Sequence, residues 1–102
     1  MDRMRDFRRL NAWQRAHQLV LAVYADSERF PASERFGLIP QLRRATLSIP
    51  TNIAEGAASA SRTEFARYLG IAIASASEVE YLLLVCRDLG FIPQTDFESR
   101  RD

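Results

Sequence analysis

The chain has 102 residues, 47% of them apolar and 26% charged, with 14 arginines, no lysine and a net charge of +1. That length sets one domain, and the composition is ordinary for a folded globular chain. A charge so near zero gives no overall pull toward nucleic acid or an anionic membrane, and a single cysteine, Cys86, excludes an internal disulfide and points to a cytoplasmic setting.

The opening MDRMRDFRRL carries charges without an apolar segment, so it does not read as a signal peptide. No apolar run approaches 18 residues, so no membrane span is expected. Residues 1–9 form a polar arm with Arg3, Arg5, Arg8 and Arg9. Arms of this kind are commonly solvated and frayed; the sharper reading is contact with phosphates.

A first helix is predicted from a cap at Asn11 to about Arg29. Leu10, Trp13, His17, Val20 and Tyr24 make one line at helical spacing, and Ala12, Ala16, Leu19 and Val23 a second. Gln14, Arg15, Gln18, Asp26 and Glu28 take the remaining surface. Trp13 is an anchor for a core or an interface. Phe30-Pro31 ends this helix, because proline disfavours α conformation in the residue before it. The connection Pro31 to Gly37 offers Ser33 as a cap for a short turn and Phe36 as a plug for one end of the core.

A second helix is predicted from around Leu38 to around Glu55, with Pro40 in its first turn. Ile39, Leu42, Thr46, Ile49 and Ile53 point inward. Pro50 removes the bond to the Thr46 carbonyl, so a kink is expected near Thr46 to Ile49. Asn52 is expected to satisfy backbone groups freed there. Gly56 and the small residues after it then make a tight connection.

The longest element runs from Ser61 to Gly90. Ser61-Arg62-Thr63-Glu64 is a capping box, Gly90 a left-handed stop, and no proline intervenes. Three apolar lines run along this helix, including Phe65, Leu69, Val79 and Leu83 on one, Ile71, Leu82 and Val85 on another, and Ile73, Tyr81 and Leu84 on the third. Such a helix must be covered on several sides. After Gly90 a fourth helix is expected to start near Pro93; with at most two turns present it is either short or truncated. No alternation suited to strands is present, and short connections make consecutive helices antiparallel neighbours. The fold class expected is all-α.

Several blocks in this order resemble a known family: Trp13-Gln14-Arg15-Ala16-His17, Arg35-Phe36-Gly37-Leu38, Gln41-Leu42-Arg43-Arg44-Ala45, Ser48 to Gly56 (SIPTNIAEG), Glu64-Phe65 and Tyr68-Leu69. Together they resemble the four-helix-bundle proteins found in intervening sequences of 23S rRNA genes, over about residues 7 to 92. The resemblance implies an up-and-down four-helix bundle assembling as a ring-like homopentamer. A more distant likeness to the accessory protein of diversity-generating retroelements implies nucleic-acid binding through a basic surface. Family relatives carry a full fourth helix; here it stops at its start.

Little in the chain points to catalysis. Paired-helix metal centres need a Glu-x-x-His motif, and the position three before the lone histidine, His17, is Gln14. One His and one Cys supply no zinc ligand set, and no glycine-rich phosphate loop is present. Glu78 and Glu80 point about 200° apart on a helix. The chain therefore reads as a non-enzyme without a cofactor: a homo-oligomeric scaffold with Trp13, Pro50, Asn52, Glu55, Glu64, Phe65 and Glu78 as structural or interface residues. In that reading Arg43 or Arg44 pairs with Glu55 or Glu78. The rival is a nucleic-acid-binding accessory protein using Arg3, Arg5, Arg8, Arg9, Arg43 and Arg44.

Overall fold

A computed structural model describes residues 6–101. They form four helices and two short 3-10 turns with no strand among the described residues: α1 (Asn11–Ser27), α2 (Leu38–Ala58), α3 (Arg62–Asp88) and α4 (Gln94–Arg101), with turns at Phe7–Arg9 and Ala32–Glu34. The molecule is elongated, 48 × 23 × 18 Å, because α3 alone is 27 residues and rises about 40 Å. α2 is the central element: it packs against α3 and α1, while α4 packs on α3.

The buried residues of α2 are Leu42, Ala45, Thr46, Ile49, Pro50, Ile53, Gly56 and Ala57, a 3–4 spaced face. They meet Ala16 and Val23 of α1 and Ala72, Val79, Leu82, Leu83 and Cys86 of α3 in one core cluster. Each large aliphatic side chain removed from water there contributes about 1.5–3 kcal/mol. α2 is helical across Pro50 rather than broken there. Asn52 Nδ2 donates to the Ser48 carbonyl at 2.8 Å and to Ser48 Oγ at 3.0 Å. It therefore serves the Ser48 turn, whereas the sequence reading expects it to satisfy the backbone groups freed by Pro50.

Gly56 lies inside α2, which runs to Ala58; the connection is Ser59 to Ser61. The glycine is needed because α3 approaches closely: a Cβ there would stand 2.8 Å from Phe65 Cδ1 and 3.0 Å from Tyr68 Cβ. Ser61 Oγ caps α3 by accepting from Glu64 N at 3.1 Å. The reciprocal arm of the expected capping box is replaced by an ion pair, Glu64 Oε1 to Arg67 Nη2 at 3.1 Å. At the other end Gly90 has φ +79, and the bonds Phe91 N to Cys86 O at 2.8 Å and Gly90 N to Arg87 O at 3.0 Å close the helix as a Schellman motif.

The boundaries of α1 differ from expectation at both ends. Leu10 is the cap and gives no side-chain bond, so Asn11 is already helical, and the helix stops at Ser27, before Arg29. Phe30, buried and tilted against Phe91 with ring centroids 5.3 Å apart, is the plug. Phe36 is 87% exposed, because the turn from Arg35 to Gly37 carries it outward. Ser33 lies inside the 3-10 turn and caps nothing; Pro31 stands at its cap. The expected polar arm is, over Phe7–Arg9, a turn capped by Asp6, whose Oδ1 accepts from Arg8 N at 3.1 Å.

α3 is only partly covered. Ile71, Ile73 and Tyr81 are 39%, 68% and 63% exposed. The helix is long and apolar enough to cross a membrane by length and composition, and 28% of that stretch is buried. The sequence reading expects no membrane span because no uninterrupted apolar run is long enough; the stretch between Arg67 and Arg87 contains Glu78 and Glu80.

Candidate functional site

An open cleft of about 710 Å³ lies at the junction of α1 and α2. α1 supplies Tyr24, Ser27 and Glu28, the following connection Phe30, Ala32 and Arg35, and α2 Ile39, Pro40, Arg43, Arg44 and Leu47. Its walls are thus largely apolar with three guanidinium groups among them.

Arg43 is held in place. Its Nε donates to Ser27 Oγ at 2.7 Å, and Nη2 reaches the Tyr24 carbonyl at 3.4 Å and Glu28 Oε2 at 3.3 Å. Its Cζ lies 4.4 Å from the Tyr24 ring centroid, a cation–π arrangement. The expected pairing of Arg43 or Arg44 with Glu55 or Glu78 does not occur within the chain. The α2 face carrying Arg43 turns toward α1, so its carboxylate is Glu28. Arg44, one residue and about 100° further round, is exposed and has no partner among the described residues, and the same holds for Glu55 and Glu78. The Arg35 guanidinium lies over the Phe36 ring at 5.1 Å and has no carboxylate partner among the described residues.

Of the other candidate arginines, Arg8 and Arg9 do not line this cleft. Arg8 pairs with Asp6 at 3.1 Å. Hydrogen bonds from the Arg8 guanidinium and then from its N–H hold the Asp6 carboxyl below the usual carboxylate range. Arg9 is exposed beside it. Arg3 and Arg5 lie outside the described residues. Trp13 is half-buried between Phe7, at 5.1 Å, and His17, stacked at 4.9 Å with 9° between ring planes. Phe65 packs where Gly56 makes room, and Ser48 and Ser75 join α2 to α3 through their hydroxyls at 2.8 Å.

One buried ionic site was missed by sequence reasoning. Asp26, assigned to the surface, is 2% exposed. Arg100 of α4 grips it with two bonds, Nε to Oδ2 at 2.8 Å and Nη2 to Oδ1 at 3.0 Å, and Arg29 adds a longer contact at 3.4 Å. This fork-to-fork geometry is the strong form of the pair, and the bond to Asp26 raises the Arg100 pKa further. A signal was present: Asp26 continues the inward line of Ala12, Ala16, Leu19 and Val23. Nearby, burial and secondly the Asp26 charge push the Cys86 thiol up to about 11, which makes it an inert core group at neutral pH.

No group of three or more His, Cys, Asp or Glu among the described residues is placed to hold a metal ion. Comparison with curated proteins finds no match. The model of one family, described as 23S rRNA-intervening sequence protein, matches residues 8–102. With nearly the whole chain matched and four helices packed as described, this protein belongs to the 23S rRNA-intervening sequence protein family.

Proposed function

We propose that the chain is a non-catalytic homo-oligomeric scaffold or interaction module of the cytoplasm, built as an antiparallel up-and-down bundle. The observation that carries this reading is the outer face of α3, with Ile73 at 68% and Tyr81 at 63% exposure on a helix of mainly apolar and small residues. Large apolar side chains exposed along one helix support an interaction surface there. The antiparallel order is supported by the register of α2 on α3: Gly56 meets Phe65 and Tyr68, while the earlier Ser48 meets the later Ser75. Pro50, without a backbone donor, bends α2 in this reading.

A second copy is a better cover for this face than a bilayer. Glu78 and Glu80 are both exposed, on different sides of α3, and carboxylates are costly in hydrocarbon. At a protein interface they can pair with guanidinium groups of a neighbour. By family resemblance the assembly has five subunits. Ile73→Glu tests this: size-exclusion light scattering should show the oligomer of the wild type replaced by a folded monomer. A wild-type monomer at micromolar concentration removes the proposal.

The second reading, a nucleic-acid-binding accessory protein, is favoured by one observation: Arg35 and Arg44 line the same cleft without a carboxylate of their own.

A further inference from the structure

We propose that the α1–α2 cleft is a nucleotide-binding site, taking the phosphate on Arg35 and Arg44 and the base on the Tyr24–Arg43 layer. The inference rests on the second reading above and gives it a location and a ligand chemistry. At about 710 Å³ the cleft falls within the size range of small-ligand sites and is far too small for a duplex.

The walls divide by chemistry. Arg43 Cζ lies 4.4 Å from the Tyr24 ring centroid, and the side chain is pinned through Nε and Nη2. A guanidinium fixed in this way presents its outer face as a platform on which a base can stack. Its Nη1 makes no hydrogen bond among the described residues. Arg35 and Arg44 add two further positive charges with no carboxylate partner, which suits a phosphate oxyanion.

Glu28 decides between ligand classes. Its side chain is 76% exposed, and only Oε2 is engaged, by Arg43. A cleft holding guanidinium groups and a carboxylate acceptor together suits a ligand that is anionic at one end and rich in donors at the other. A nucleotide fits, with its phosphate, ribose hydroxyls and base N–H groups. An acidic peptide would set its carboxylates against Glu28.

The test uses the full chain and fluorescence anisotropy of a fluorescein-labelled oligoadenylate, with light scattering on the same samples. Binding should weaken as salt rises. Arg35→Ala/Arg44→Ala should lower affinity about tenfold or more and reduce the salt slope by about 0.7, the value for one phosphate of a single strand. Arg62→Ala, an exposed arginine on α3, should leave affinity within about twofold. Competition by free AMP identifies an isolated nucleotide as sufficient; competition by unlabelled oligoadenylate alone identifies a strand; both support the site. Absence of salt-dependent binding overturns the nucleic-acid reading and the site together. Binding unchanged in the double variant overturns the site and leaves the reading standing. Binding lost together with the oligomer assigns the arginines to a subunit contact and overturns the site. Displacement by oligoglutamate as effective as by oligoadenylate overturns the nucleotide assignment.

Discussion

α2 and α3 are both long, uncharged through much of their length and rich in aliphatic residues, yet they bury them differently. Eight of the 21 residues of α2 are buried, against five of the 27 in α3. α2 lies between α1 and α3, and its apolar residues keep to one 3–4 spaced face, so its partners cover what needs covering. α3 is apolar on three lines but has α2 on one side and only the eight residues of α4 on another. Burial is set by the partners a helix has and not by its own composition. Apolar surface in excess of those partners marks the place where another is expected.

The largest effect that sharpens this contrast is at the core. Leu42→Ala removes a side chain with 0% exposure and should cost about 4 kcal/mol in denaturant unfolding, the transfer loss plus a cavity. Ile73→Ala should cost under about 0.5 kcal/mol if the face is open; a cost near that of Leu42→Ala would mean the face is covered. Next is the ionic clamp. Arg100→Ala leaves Asp26 buried with only the long Arg29 contact and should cost about 3 kcal/mol, while Arg29→Ala, at an exposed side chain, should cost under about 1 kcal/mol. Equal costs for the two would show that α4 is not locked through Arg100.

Two glycines, one in each helix, extend the comparison. Gly56→Ala in α2 pushes a methyl group against Phe65 and the base of Tyr68 and should destabilise by roughly 1–3 kcal/mol. Gly70→Ala in α3 meets nothing within 4 Å in the single chain, so helix propensity alone should stabilise it by about 1 kcal/mol. If Gly70→Ala also weakens assembly, Gly70 lies at a subunit contact. The smallest effect is at Cys86. A thiol raised from 9.0 to about 11 favours the fold below about pH 9, and that contribution is lost as pH rises toward about 11. Cys86→Ala should therefore flatten the fall in stability between these values, and the native thiol should resist alkylation at pH 8 until the chain unfolds.

Local pattern carried most of the fold. Ser61 and Gly90 act through their own backbone or an adjacent turn, so the ends they set were legible, as were the inward line of α2 and the brevity of α4. What failed depends on distant neighbours. Asp26 finds Arg100 at a separation of 74 residues, and no local rule pairs them. Gly56 reads as a turn residue until Phe65 is seen against it. Phe36 reads as core because it is aromatic, yet it follows a tight turn that points it outward. The cleft is the same case: Arg43 and Arg44 were visible as a pair, but only the packing of α1 on α2 gives Arg43 to Glu28 and leaves Arg44 free beside Arg35.

The uncovered face of α3 leads to one direct measurement, the native mass in solution. Light scattering coupled to size exclusion at micromolar concentration should give a mass several times the 11.6 kDa of one chain, fivefold by family resemblance, with Ile73→Glu returning it to one chain. A native mass of 11.6 kDa with a cooperative unfolding transition would contradict the assembly, because the exposed face would then be stable in water without a partner.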